Sequence, residues 1–148
     1  MSKIFKNFNE VVLDFNDLFK LLSKGDYVTK VYQRQNNAFY NHFKIENVHK
    51  DKFFWGIINA MCNGINVKNA DLDAHIFTSF LSGIGGVAHT DNYEHVLLYN
   101  LYGETIYIVE DTKYILTPKD LLHIEGGEIH QAISLTPRIT LSLAIKRN

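Results

Sequence analysis

The chain is poor in the residues that staple or stiffen small proteins: 148 residues hold one cysteine, Cys62, and two prolines. A lone cysteine excludes an intrachain disulfide framework and fits a reducing compartment. The amino-terminal stretch Met1-Ser2-Lys3-Ile4-Phe5-Lys6-Asn7 is too polar for a signal-peptide core. No apolar run approaches the ~18 residues that cross a bilayer, so no membrane span is expected. The expectation is a cytoplasmic, soluble protein. An excess of charge of one sign is also missing: Lys+Arg is 15 and Asp+Glu is 16, a formal net charge of −1. A non-specific nucleic-acid binder normally carries a basic excess, and no strong nucleic-acid signal is present. There is no solenoid repeat, no Pro- or Ser-rich linker, no P-loop and no GxGxxG at a strand-to-helix junction, which argues against a nucleotide-binding fold.

What is present is ordinary for a globular protein: 46% hydrophobic and 21% charged residues. A chain of this length makes one domain, 1–148. It buries roughly two thirds of its unfolded surface, so it needs no metal merely to fold. The N-terminal part, 1–70, reads as a helical support region. Val11, Val12, Phe15, Leu18, Phe19 and Leu22 recur at helical spacing and predict a helix over Phe8 to Lys24, with Gly25 as its stop. Tyr27 to Tyr32 has strand composition, Gln33 to Asn37 resembles a loop, and Lys50 to Asn63 reads as a second helix. From about Asp71 the texture changes to short β-rich runs separated by turn residues. Strands are predicted at Ala74–Phe80, His95–Leu101, Thr105–Val109, Tyr114–Leu116, Leu121–Ile124, Ile129–Leu135 and Arg138–Ile145. Such spacing implies a sandwich or barrel, and helices feeding a β half make the class α+β, mainly β.

The residues able to do chemistry begin with His89-Thr90-Asp91. In an extended segment residues i and i+2 point the same way, so this imidazole and this carboxylate can converge. His130 stands at the head of a later predicted strand, behind Gly126-Gly127, whose tight turn aims the strand start. Two histidines and a carboxylate make the facial triad of non-haem iron(II) oxygenases, with the opposite face of the ion open.

The surroundings of these residues resemble the cupin superfamily. Pro118-Lys119-Asp120-Leu121-Leu122-His123-Ile124-Glu125-Gly126-Gly127-Glu128-Ile129-His130 is similar to the second cupin motif, and Gly83-Ile84-Gly85-Gly86-Val87-Ala88-His89-Thr90-Asp91 to the first. Asp91 stands where common cupins have a second histidine, a mark of the Fe(II)/2-oxoglutarate oxygenase branch. Ala74-His75-Ile76-Phe77-Thr78-Ser79-Phe80, HTD, and Leu101-Tyr102-Gly103-Glu104-Thr105-Ile106-Tyr107 are most similar to small JmjC-type hydroxylases. The resemblance covers about 71–145. It implies a double-stranded β-helix (cupin or jelly-roll barrel) over 71–146, with the N-terminal helices packed outside. It also implies Fe(II) held by His89, Asp91 and His130, with 2-oxoglutarate as cosubstrate. The activity implied is oxidation of a prime substrate, a protein side chain or a small molecule, coupled to decarboxylation of 2-oxoglutarate.

The chain departs from the pattern. Lys119 replaces the glycine of the PGD turn, and Glu125 replaces the proline of the following one. The G-x-K lysine that pairs with the distal carboxylate of 2-oxoglutarate is missing from Gly103-Glu104-Thr105. Arg138, eight residues after His130, is the candidate replacement; related oxygenases place an arginine on the strand after the distal histidine. Register supports it. Ile133, Leu135, Ile139, Leu141, Leu143 and Ile145 share one face, and His130, Ala132, Ser134, Arg138, Thr140 and Ser142 the other, provided the hairpin loop is odd, as in Leu135-Thr136-Pro137. Arg138 then lies on the His130 side, about 13 Å along the strands. Its planar fork matches a carboxylate. The alternative is an exposed arginine on the outer barrel face.

Thr105, Tyr107, Tyr99 and Thr140 are further candidates to line the cosubstrate cavity, with core packing the alternative for each tyrosine. Lys113 could supply a cation but sits beside a turn. His95, four residues past Asp91, could stand behind the ligands; it, His123, His42, His49 and His75 otherwise read as structural or surface. Cys62 reads as a buried inert thiol, and no Cys-His-Asn pattern supports a thiol protease. Two other classes stay open: a metal-binding cupin without oxygenase activity, supported by the missing lysine, and a metal-free interaction module with Phe39, Tyr40, Phe53 and Trp55 as its contact face.

Overall fold

The computed structural model describes residues 1–24, 29–35, 38–68, 71–84 and 88–146; for 29–35 and 38–42 it describes the backbone alone. The elements run β1 (Lys3–Phe5), α1 (Phe15–Leu22), β2 (Thr29–Gln35), β3 (Ala38–Ile45), two short 3₁₀ turns, α2 (Trp55–Gly64), β4 (Leu72–Ser79), β5 (Gly83–Ile84), β6 (His95–Tyr102), β7 (Thr105–Val109), β8 (Thr112–Leu116), β9 (Leu121–Glu125), β10 (His130–Ser134) and β11 (Arg138–Ile145). They form two antiparallel sheets. The major one has the order β1-β9-β6-β11-β4-β3-β2 and the minor one β5-β10-β7-β8. This is the mainly-β jelly-roll barrel the resemblance implies.

Strand alternation sorts the core into two layers. Val96 and Leu98 of β6 and Leu122 and Ile124 of β9 turn inward and meet Tyr107, Val109 and Leu116 of the minor sheet. Their sequence neighbours Leu97, Tyr99, Leu101 and Leu121 turn outward. With Ile139, Leu141, Leu143 and Ile145 of β11 they pack against Leu18 of α1 and Ile57, Ile58 and Met61 of α2. The N-terminal helices thus cover the outer face of the major sheet.

Several local expectations are corrected. The first helix starts at Phe15, not Phe8. Asp14 caps it, accepting from the Asp17 amide at 2.8 Å while the Asp17 carboxylate accepts from the Asp14 amide at 3.2 Å. The stretch before the cap is held by the barrel instead. The Phe8 amide donates to the Lys119 carbonyl (2.8 Å) and the Leu13 amide to that of Leu101 (3.3 Å). The 1–70 region is not simply helical, because β1, β2 and β3 extend the major sheet. β2 runs on through Gln35, where a loop is predicted from Gln33, and Tyr27, Val28 and Asn37 lie outside the described residues. The second helix opens with the two 3₁₀ turns, Val48–Lys50 and Lys52–Phe54, so its α-helical part begins at Trp55.

The connection from Ile129 to Ile145 is not a hairpin. β10 pairs with β5 and β7, whereas β11 pairs with β4 and β6. Leu135-Thr136-Pro137 carries the chain from one sheet to the other. The single apolar face expected there divides: Ile139, Leu141, Leu143 and Ile145 lie under the helices, while Ile133 and Leu135 lie on the outer side of the minor sheet. The polar set stays inside the barrel, because both sheets turn the same parity inward.

Lys119, in the glycine position of the PGD turn, has φ +78° and takes a left-handed conformation that glycine adopts more cheaply. At Gly126 a Cβ would come within 2.1 Å of the Tyr93 carbonyl oxygen, so only glycine fits. That close approach holds the β9–β10 turn against the segment following Asp91.

Candidate metal centre and anion subsite

The two histidines are joined through their backbones. An isolated antiparallel bridge pairs His89 with His130, the His89 amide donating to the His130 carbonyl at 3.0 Å and the His130 amide to the His89 carbonyl at 2.9 Å. Their rings lie 4.5 Å apart between centroids. Asp91, two residues on, turns back between them. Its Oδ2 is 3.1 Å from His130 Nε2 and its Oδ1 is 3.4 Å from His89 Nε2. Ligand atoms of all three residues lie within 4.8 Å of one another. Metal–ligand bonds of about 2.0–2.2 Å place neighbouring donors roughly 3 Å apart; the two Asp91 separations match this, and the wider span would contract around one ion.

Burial grades across the triad. The His130 side chain is 6% exposed, that of Asp91 27% and that of His89 51%. The site therefore opens on the His89 side. His130 Nδ1–H donates to the Glu128 carbonyl at 3.0 Å, which turns Nε2 toward Asp91 and the common centre. Burial pushes the Asp91 carboxyl up, but hydrogen bonds from His130 and His89 outweigh it and hold the group well below the usual carboxylate range. The carboxylate is thus ionised near neutral pH, as a cation site requires. Beside it lies a half-open cavity of about 760 Å³, walled by the segment from Thr90 to His95 and the Glu125–Gly127 turn.

Arg138 lies inside the barrel, 2% exposed, so the outer-face alternative does not hold. Its Nη1 donates to the Tyr107 hydroxyl (2.9 Å) and to Thr140 Oγ1 (3.2 Å), and its Nε to Ser79 Oγ (3.4 Å). Thr140 in turn donates to Asn100 Oδ1 at 3.0 Å. All three acceptors are neutral hydroxyls, and no carboxylate among the described residues pairs with this guanidinium. A buried cation without a counter-charge is costly, which suits a site built to receive an anion. Thr105 and Ser134 face each other across β7 and β10, and their hydroxyls are buried without a partner among the described residues.

His89, Asp91 and His130 thus come together in one donor set able to hold an ion, and Arg138, Tyr107 and Thr140 are hydrogen-bonded together inside the barrel with Thr105 on the same inner face. Tyr99 does not join them. It turns to the opposite face of β6, is fully buried under the N-terminal segment, and donates its hydroxyl to the carbonyls of Asn9 (3.1 Å) and Val11 (2.6 Å). Burial, with Glu10 and Asp120 nearby, pushes its phenol up, so it is a core residue. Ser79 and Asn100 join the subsite without having been singled out. Asn100 carries a signal in the sequence, a lone amide inside the apolar run Val96–Tyr102.

Away from the site, His95 Nδ1 and His123 Nε2 are 2.9 Å apart and interact with each other. His49 and His75 each accept a backbone amide, from Ala74 and Asn47. Lys113 is exposed on the outer side of the minor sheet. Cys62 is only partly buried, and that burial pushes its thiol up. Phe53 and Trp55 are half exposed, while the side chains of Phe39, Tyr40 and His42 lie outside the described residues.

No family model and no curated protein matches the sequence. Solved structures do. The Escherichia coli ribosomal oxygenase YcfD in complex with cobalt and succinic acid superposes with a TM-score of 0.80 at 16% identity, over 99% of this chain and 48% of that one. The same protein with cobalt and 2-oxoglutarate gives 0.75 at 17% identity, over 100% of this chain and 48% of that one. KdgF from Halomonas sp. gives 0.55 at 16% identity, over 86% of this chain and 91% of that one. The chain spans about half the length of YcfD, and at these identities the likeness shows the fold.

Proposed function

We propose that the protein is an Fe(II)/2-oxoglutarate-dependent oxygenase. The observation that carries this is the pairing, inside one barrel, of a His-Asp-His donor set with a buried arginine that has no carboxylate partner. His89, Asp91 and His130 would hold the iron, one anionic and two neutral donors leaving further positions for other ligands. When bound, the metal and cosubstrate supply oxidative decarboxylation coupled to oxidation of a second substrate.

The chain's own residues do the rest. The Glu128 carbonyl fixes the His130 tautomer. Arg138 receives the distal carboxylate of the cosubstrate, with Tyr107 and Thr140 setting the plane of its fork. The Thr105 and Ser134 hydroxyls stand ready as donors in the same buried wall. The arginine thereby replaces the lysine missing from Gly103-Glu104-Thr105. YcfD, of the same fold, has been solved with cobalt and 2-oxoglutarate together, which supports the reading.

Anaerobic addition of Fe(II) and 2-oxoglutarate tests it. A weak visible charge-transfer band is expected, absent in Asp91→Ala. Arg138→Ala is expected to raise the 2-oxoglutarate requirement by one to two orders of magnitude, from loss of a charge-assisted pair, with iron occupancy unchanged. Metal binding without the band favours the second reading, a metal-binding cupin that does not use 2-oxoglutarate. Its specific support is the missing lysine: Thr105, a neutral hydroxyl, stands where related hydroxylases carry the cosubstrate lysine.

A further inference from the structure

Every second residue of the minor sheet faces away from the barrel, and one row of these is entirely isoleucine. The pairings Ile84↔Ile133, Ile133↔Ile106 and Ile106↔Ile115 run edge to edge across β5, β10, β7 and β8. Ile84 and Ile115, at the two ends, are 45% and 46% exposed. Ile106 and Ile133 between them are partly buried, and Ile108 and Leu135 beside the row are exposed as well. On a solvated antiparallel face alternation normally places polar residues at such positions. β-Branched side chains in register across four strands form instead a flat, continuous surface of the kind found where two sheets stack.

We propose that this row is a self-association surface, and that its occupant is the same row of a second copy of the chain. The flanking charges favour that occupant. On one side the neighbouring row is Gln131, Ile108 and Lys113; on the other it is Leu135, Glu104 and Thr117. A twofold axis along the isoleucine row lays each flank over the opposite flank of the partner copy. Lys113 then comes beside the partner copy's Glu104, and by symmetry the reverse pair forms too. No like charges are opposed, as an isologous contact requires.

Size sets the expected strength. Three five-residue strands and the two-residue β5, about 4.8 Å apart, cover on the order of 250–300 Å² in projection. That matches the largest apolar patch on a typical monomer, and lies below the roughly 800 Å² per partner of a standard interface. The dimer is therefore weak and depends on concentration.

Sedimentation velocity of the full chain, from low to high micromolar concentration, tests this. The weight-average mass is expected to climb from monomer toward dimer. Ile115→Glu and Ile84→Glu should each keep the chain monomeric while the thermal melt and near-ultraviolet circular dichroism stay as in the parent; Ile115→Gln serves if the charged variant fails to fold. Lys113→Glu should weaken association on the order of tenfold, and adding Glu104→Lys should restore it. A chain that is monomeric throughout overturns the proposal, and so does a dimer that survives both Ile115→Glu and Lys113→Glu. Capture of the surface by detergent or vesicles without self-association overturns it as well. Metal and cosubstrate binding play no part in these readouts, so the outcome is independent of the proposed activity.

Discussion

The two sheets treat their outer faces differently although both are apolar. On the major sheet, Leu97, Tyr99, Leu101, Leu121 and the outward residues of β11 lie beneath α1 and α2 and are fully buried. On the minor sheet, Ile84, Ile106, Ile115 and Ile133 form a comparable row that stays exposed at both ends and partly exposed between. The composition of a strand therefore does not say whether its outward face is core. The β11 run, buried along its whole length, owes its burial to inward pressure from one sheet and outward cover from two helices. The isoleucines of β7, β8 and β10 have only the first layer.

The comparison breaks most directly on stability. Leu141→Ala, under the helices, is expected to cost about 2–5 kcal/mol, the range for a fully buried aliphatic side chain, whereas Ile115→Ala should cost less than about 1 kcal/mol at dilute monomer concentration. Urea denaturation of both checks this, and equal losses would show that the minor face is covered in solution. Next in size is Tyr99→Phe. Loss of the hydroxyl that ties the N-terminal segment to β6 should cost about 1–2 kcal/mol while metal and 2-oxoglutarate titrations stay as in the parent, the mark of a residue belonging to the cover. A raised 2-oxoglutarate requirement would return Tyr99 to the site.

Lys119→Gly is expected to stabilise by about 0.5–1 kcal/mol, by relieving a side chain at positive φ, offset by loss of its ion pair with Glu10 at 2.9 Å. Thermal melting reads the sign. A further effect is expected on pH dependence. His75 accepts the Asn47 amide and so ties the connection leading into the covering helix to β4. Burial, with Lys44 nearby, pushes its pKa from 6.5 down to about 4. The folded state resists a proton that the unfolded chain accepts, so this contribution is complete above about pH 6.5 and drains away as pH falls toward about 4. His75→Gln should flatten the fall in melting temperature over that window. An unchanged slope would place the acid sensitivity of the cover elsewhere.

The site was more legible than the fold around it. His89 and Asp91 stand two residues apart, and the isolated bridge to His130 brings the three side chains within reach of one another. The inward side of Arg138 was read correctly through a hairpin that does not exist. The parity argument survived because three residues cross between the sheets and both sheets send the same parity inward. Tyr99 failed for the complementary reason: on a strand apolar on both faces, nothing local distinguishes the barrel side from the helix side.

The order of the turns, the alternation of the later strands and the spacing of the three ligands were all written in the residues, because each depends on neighbours one to six positions apart. Three things were settled only by contacts between distant segments. The stretch from Phe8 to Asp14 has helical periodicity, yet its backbone bonds to Lys119 and Leu101 outcompete those of a helix. The early strands β1, β2 and β3 join the sheet because its edges offer unpaired backbone groups. The division of one type of apolar face into a buried and a bare one follows from where the two helices come to rest. No local pattern records that, because side-chain periodicity marks an apolar face without recording what packs on it.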